Sequence, residues 1–276
     1  MPLCVSPTRV GSPAGLWEGA GMTIETHRER HVALVSFARP PHNFADLALI
    51  ERIGAAFRAA DEDPEVRAIV LRSEGRVFCA GADLVNANPV AEDRPAGTRN
   101  PFYVAAAGLF AVRTPVVAAV QGAAVGAGLG LALVADFRVA GPDARFAANF
   151  VALGFHPGFG ISAVLERVVG RQRAGLMLLT GRRIRAEQAA DWGLVDVLAE
   201  AGGVDAAALA LAHEIAAGAP LAVQATRATW RGDLATLVER QTDHELRQQQ
   251  WLQKTEDFAE GVRAVAERRP GRFQGR

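Results

Sequence analysis

Two short stretches have the residue types and spacing for chemistry at a carbonyl group. The first is Arg76-Val-Phe-Cys-Ala-Gly-Ala-Asp-Leu84; the second is Val120-Gln-Gly-Ala-Ala-Val-Gly-Ala-Gly-Leu-Gly-Leu131. Each passes from an apolar or β-branched run through small residues into an apolar-periodic run. Small residues at such a turn let a ligand approach the backbone closely. N–H groups at a helix start have no intrahelical acceptor and favour negative charge. Two such turns facing one another would hold one developing oxyanion between two backbone N–H donors. The same glycines and alanines also permit tight helix packing, and either turn alone leaves that alternative open.

The elements that must position these turns are written around them. Val66–Leu71 reads as a largely buried strand leading to the first turn, and Pro115–Val120 as a strand leading to the second. His31–Phe37 alternates as a strand and is stopped by Arg39-Pro-Pro41. Leu47, Ile50, Ile53 and Phe57 recur at helical spacing, which predicts an amphipathic helix ending near Asp63-Pro64. A small-residue helix should follow the second turn, and Phe137–Ala140 should form a further strand. Strands alternating with helices predict an α/β core with largely parallel pairing. From about Ala186 the pattern becomes helical, with helices expected at 204–217, 221–230, 234–253 and 257–269. No strand is expected in that region beyond the short apolar run Leu194-Val195. The organisation expected is a flexible leader over 1–21, an α/β core over 22–200 and a helical C-terminal region over 201–276. Residues 86–100 are a turn-rich polar loop, either a lid or a plain solvated connection.

Composition narrows the partners. Lys+Arg and Asp+Glu both number 30 and half of the residues are hydrophobic, so there is no electrostatic footprint for nucleic acid. Lys254 is the one lysine, so the positive charge is almost wholly arginine. Cys4 and Cys79 make no disulfide framework, which fits a reducing, cytoplasmic setting. No apolar run reaches the ~18 residues of a membrane span. The stretch before Met22 lacks the charged start and apolar centre of a signal peptide, and Met22 is an alternative start.

Seven further pieces of sequence belong together. They are Asp63-Pro-Glu-Val-Arg-Ala-Ile-Val70, Phe78-Cys-Ala-Gly-Ala-Asp-Leu84, Thr114-Pro-Val-Val-Ala-Ala-Val-Gln-Gly122, Leu153-Gly-Phe-His-Pro-Gly158, Leu179-Thr-Gly-Arg-Arg183, Ala190-Asp-Trp-Gly-Leu-Val195 and the ending from Glu260-Gly-Val-Arg263 to Phe273. With them the chain, from about Thr23 to Gly275, resembles the enoyl-CoA hydratase/isomerase (crotonase) family. The resemblance implies a spiral of repeated ββα units, a helical C-terminal region used in trimer formation, and often a dimer of trimers. It implies a coenzyme A thioester as substrate, with no separate cofactor and no metal. The thioester carbonyl would accept hydrogen bonds from the N–H groups of Ala82 and Ala127, and Gly81, Gly126, Gly128, Gly130, Asn149, Phe150, Gly158 and Phe159 would line the substrate pocket. On the coenzyme side it implies His42, Ala80, Asp83 and Arg268, although Asp83 also reads as a helix cap and exposed cations are often simply solvated. Val85 stands where a lysine is common.

The chain departs from the family where proton transfer is expected. The first customary glutamate falls at Gly130 and the second at Phe150, and the acid of several isomerases falls at Gly158. None of these ionises, so none can shuttle a proton. Phe150 and Phe159 would make the acyl end of the pocket apolar, with Asn149 as a polar contact. The ionisable residue nearest these positions is His156, which would exchange protons near neutral pH; its alternative role is to pack a loop. The expectation is therefore enolate chemistry of the isomerase type. A non-catalytic acyl-CoA binding protein is the alternative, and hydration by another group is a third reading.

Overall fold

The computed structural model describes residues 21–84, 88–90 and 98–276. The expected leader apart from Gly21, Val85 and most of the candidate lid at 86–100 lie outside them. The polar strand β1 (Thr23–Glu29) pairs antiparallel with β2 (Val32–Ala38). β1 buries none of its residues fully, so it lacks the apolar alternation that announces β2. Charged side chains on such a strand are what keeps a sheet edge from pairing further.

The amphipathic helix α1 (Leu47–Glu62) follows, started by Asp46, whose carboxylate accepts the Leu49 N–H at 2.9 Å. It buries Leu49, Ile50, Ile53 and Phe57, with Leu49 rather than Leu47 on the inner face. β3 (Ala68–Ser73) runs parallel to β2, and α2 (Pro101–Leu109) follows with Asn100 as cap and Pro101 in its first turn. α2 has no polar face to give it a period: its residues are PFYVAAAGL. Two units then repeat a pattern. β4 (Val116–Val120), β5 (Ala123–Val125) and α3 (Ala127–Val134) form one. β6 (Phe137–Ala140), β7 (Arg145–Ala147), a 3-10 turn at Asn149–Leu153 and α4 (Ile161–Val169) form the next. In each, the first strand joins a six-stranded sheet and the second a three-stranded sheet.

The chain continues through α5 (Arg171–Thr180), β8 (Arg183–Arg185), α6 (Ala186–Asp191) and β9 (Val197–Leu198). The larger sheet has the order β1-β2-β3-β4-β6-β9, parallel beyond the first pair; the smaller is β5-β7-β8. The expected strand at Leu194-Val195 is displaced. Both N–H groups turn back to the Ala189 carbonyl and close α6, so pairing with β6 begins only at Val197.

Four helices complete the chain: α7 (Val204–Ala216), α8 (Pro220–Arg231), α9 (Leu234–Leu252) and α10 (Glu256–Ala266). α7 lays Val204, Ala208, Ala212 and Ala216 on one face of the large sheet, against Val32, Val70, Val117 and Val139. The other face carries Val35, Phe37, Ile69, Leu71 and Ala118 into the main core with α1 and α3. α9 packs on α2 and α4, and α10 on the 3-10 turn. Among the described residues no single helix is long and apolar enough to cross a membrane; α7 and α8 qualify only as a pair bent by 105°.

Candidate active site

The two small-residue turns meet. Cys79, wholly buried, donates its N–H to the Ala123 carbonyl and accepts the Val125 N–H, both at 3.0 Å, which makes a parallel bridge to Ala124 in β5. The close approach requires glycine at two places. Gly81 has φ of 98°, and a Cβ there would lie 2.9 Å from the Val125 carbonyl oxygen. A Cβ on Gly128, in the first turn of α3, would lie 2.0 Å from the Cys79 carbonyl oxygen. The first turn is also tied outward, because Ala80 N–H donates to the His42 carbonyl and Ala45 N–H to the Gly81 carbonyl.

Ala82 from the first turn and Ala127 from the second line one small cavity of about 40 Å³. Among the described residues neither of their N–H groups has an acceptor. Phe102, Tyr103, Phe150, Phe155, Gly158, Phe159 and Gln249 complete most of the wall. Phe150 and Phe159 stand where an apolar acyl end was expected. A Cβ on Gly130 would meet the Phe159 ring at 2.6 Å, so that ring fills the space where a side chain of α3 would project. Asn149 and the Phe150 ring flank Gly126, 3.6 and 3.8 Å from where a Cβ would sit.

His156, expected beside Ala82 and Ala127, is not among the residues that line this cavity. The ring lines a larger, separate apolar pocket with Leu178, Leu179, Trp251 and Phe273, and Phe155 forms a wall of both. Its Nδ1 lies 2.8 Å from the Pro157 carbonyl, which as an acceptor requires a proton on Nδ1. Partial burial lowers its pKa, with the neighbouring His244 adding to the effect. Only its backbone serves the first cavity, by accepting from Gln249. His42 is exposed beside the first turn with its ring edge-on to Phe44, and Arg268 is exposed just past α10; neither side chain lines the cavity. Asp83 is half-buried at the end of the first turn, and most of the residues it was expected to cap lie outside the described ones.

Two residues absent from the expectation supply the polar wall. Tyr103 donates to Gln249 Oε1 at 2.6 Å, and Gln249 Nε2 donates to the His156 carbonyl at 2.9 Å. A Cβ on Gly158 would lie 2.1 Å from the Tyr103 hydroxyl and 2.8 Å from Gln249 Nε2. The pair thus fills the space beside Gly158, the third position lacking an acid. The available signal was a count, since Tyr103 is the single tyrosine of the chain.

One turn earlier on α9, Glu245 is wholly buried. It accepts the Gly160 and Ser162 N–H groups at the start of α4, together with the Ser162 hydroxyl. Burial raises its carboxyl from 4.5 to about 7 in spite of those donors. Below pH 4.5 both the folded and the unfolded chain hold the proton. Between 4.5 and about 7 the unfolded chain releases it first, so stability falls as pH rises, by about 3 kcal/mol over the window. Thermal unfolding at pH 5 and pH 8 should show this fall, and Glu245→Gln should flatten that part of the profile; a wild-type profile rising across the window would contradict it.

The model of the enoyl-CoA hydratase/isomerase family matches residues 27–276. A Mycobacterium tuberculosis protein named "Probable enoyl-CoA hydratase EchA14" is 40% identical over 204 residues, 74% of this chain and 79% of that one. The 2,3-dehydroadipyl-CoA hydratase of Escherichia coli is 36% identical over 251 residues, 90% of this chain and 97% of that one. The crystal structure of an enoyl-CoA hydratase/isomerase from Pseudoalteromonas atlantica superposes with a TM-score of 0.81 at 27% identity, over 91% of this chain and 99% of that one.

Proposed function

This chain belongs to the enoyl-CoA hydratase/isomerase family, and we propose that it acts on an acyl-CoA by stabilising the enolate of the thioester. The observation that carries this reading is that Ala82 and Ala127, whose N–H groups have no acceptor among the described residues, line one small apolar cavity. When a proton leaves the α-carbon, or a nucleophile adds to the β-carbon, negative charge moves onto the thioester oxygen. Two fixed donors in a dry site stabilise that charge without reorganising, and losing one typically costs about 3 kcal/mol of barrier.

Chemistry of the isomerase type suits this wall best. Moving a double bond needs one proton carrier, whereas adding water engages groups at two carbons. The positions that would carry acids hold Gly130, Phe150 and Gly158, and Phe159 and Tyr103 occupy the space beside the two glycines. Tyr103 on that wall gives its proton to Gln249, so the single proton carrier would be a group beyond the described lining residues. The coenzyme would lie toward His42, Ala80, Asp83 and Arg268, with the Arg268 guanidinium suiting its phosphates. Assembly as a trimer or dimer of trimers through the C-terminal helices, and a cytoplasmic location, belong to the same proposal.

A second reading, a non-catalytic acyl-CoA binding protein, is favoured by one observation: among the described residues no carboxylate or imidazole lines the cavity. The names of the two relatives point to a third, hydration. Incubating saturated and unsaturated acyl-CoAs with the protein in D2O, followed by mass spectrometry, separates the three. Deuterium uptake at carbon without added water is the expected result. Uptake together with addition of water would replace isomerisation with hydration. Thioesters that bind and return unlabelled would leave the binding protein as the function.

A further inference from the structure

The orientation of the Tyr103 hydroxyl follows from its partners. The His156 backbone carbonyl has no proton to give, so the Gln249 group 2.9 Å from it must be the NH2 end of the amide. The Gln249 carbonyl oxygen therefore points to Tyr103, and being an acceptor it takes the phenol proton at 2.6 Å. What the phenol has left is lone pairs. Tyr103, Gln249 and Gly158 all line the cavity that holds Ala82 and Ala127, and the phenol oxygen stands beside the bare Cα of Gly158. Burial, with the Glu245 carboxyl adding to it, pushes the phenol well above its usual pKa, so it keeps its proton and cannot act as a phenolate.

We propose that Tyr103, its proton held by Gln249, is a specificity-determining acceptor that recognises a hydroxyl group on the acyl chain next to the thioester. The cavity suits a short chain. Its volume of about 40 Å³ is room for a few non-hydrogen atoms, since one water needs about 10–15 Å³ on the same measure. The remaining wall is largely apolar, with Leu84, Pro89 and Val90 beside the phenylalanines, so a substrate hydroxyl that missed Tyr103 would find few acceptors, which is unfavourable. A ketone at the same carbon would place one acceptor against another. The selectivity should therefore run hydroxyl over methylene over ketone. This inference rests on the acyl-CoA reading above.

Titration calorimetry with 3-hydroxybutyryl-CoA (each enantiomer), butyryl-CoA and acetoacetyl-CoA tests it, the thioester composition being checked after each run. The wild-type chain should bind one hydroxybutyryl enantiomer about 3- to 10-fold more tightly than butyryl-CoA, the range of one neutral hydrogen bond, and acetoacetyl-CoA least tightly. Tyr103→Phe, which removes one atom, should erase the hydroxyl preference, so that the hydroxybutyryl and butyryl thioesters bind within about twofold of each other. Gln249→Leu frees the phenol proton and should selectively restore acetoacetyl-CoA binding, an effect that simple loss of packing would not produce. A wild-type chain that binds the hydroxy and plain thioesters equally overturns the inference, and so does a hydroxyl preference that survives Tyr103→Phe. Failure of all the thioesters to bind would overturn the acyl-CoA reading itself.

Discussion

Gly128→Ala is expected to lower kcat/KM on the productive thioester by about 10²-fold and to cost stability at the upper end of the overpacking range, about 3 kcal/mol. The added methyl would lie 2.0 Å from the Cys79 carbonyl oxygen and 2.9 Å from the Cys79 Cβ. Neither neighbour is the loose end of a long side chain. The carbonyl accepts the Val125 N–H at 3.0 Å, so relief of the clash must move β5, the first turn or the start of α3. The first turn carries Ala82, the start of α3 carries Ala127, and β5 leads into it through Gly126. Displacement of one N–H by an ångström would spoil an arrangement whose value lies in fixed geometry. Steady-state kinetics and urea unfolding would measure both effects. Gly175→Ala is the control: it lies in α5, nothing sits within 4 Å of its added methyl, and its backbone is helical. It should be neutral or stabilise by up to about 1 kcal/mol. A Gly128→Ala protein with native turnover would remove the two-turn clasp from the mechanism.

The second large effect lies away from the cavity. Asp136, between α3 and β6, is buried, and its carboxylate meets Arg227 at 2.8 Å, Arg231 at 2.7 Å and the Val116 N–H at 2.8 Å. Both arginines come from α8, so this carboxylate ties α8 to the end of α3 and the start of β4. Asp136→Ala would leave two nearly buried guanidinium groups facing one another, with Arg138 also buried close by. Removing one member of such a group typically costs about 3–5 kcal/mol. Chemical denaturation should show that loss in the midpoint, and Arg227→Met added to Asp136→Ala should recover part of it by removing one uncompensated charge. A loss below about 1 kcal/mol would mean that water reaches the arginines.

The frame of the site was legible because it is local. Small residues between strand and helix mark both turns, the α1 face recurs every three or four residues, and the C-terminal helices start and stop within a few residues of their expected bounds. The polar wall was not legible for the opposite reason. Tyr103 and Gln249 stand 146 residues apart, and they meet only because α9 packs against α2. Nothing in the local sequence of either residue announces the other. His156 shows the complementary case: its backbone carbonyl meets Gln249 of the cavity wall, while the residue itself lines the neighbouring pocket. Sequence proximity to Phe155 and Gly158 places a residue's chain, not its side chain. β1 and α2 were obscured by composition, one too polar and the other too uniformly apolar to display a period.

The bridge at Cys79 also makes this chain report on its own fluctuations. Burial pushes the thiol up to about 12, and the thiolate is the form that alkylating reagents attack. In the closed clasp the sulfur is therefore unreactive near neutral pH, and modification has to wait for the first turn to separate from β5. With opening and closing fast relative to labelling, the alkylation rate measures the population of the open form. A thioester held between the two turns would slow that rate in proportion to its occupancy. Peptide mapping of alkylated Cys79 thus turns ligand binding into a clock that needs no turnover and no optical label.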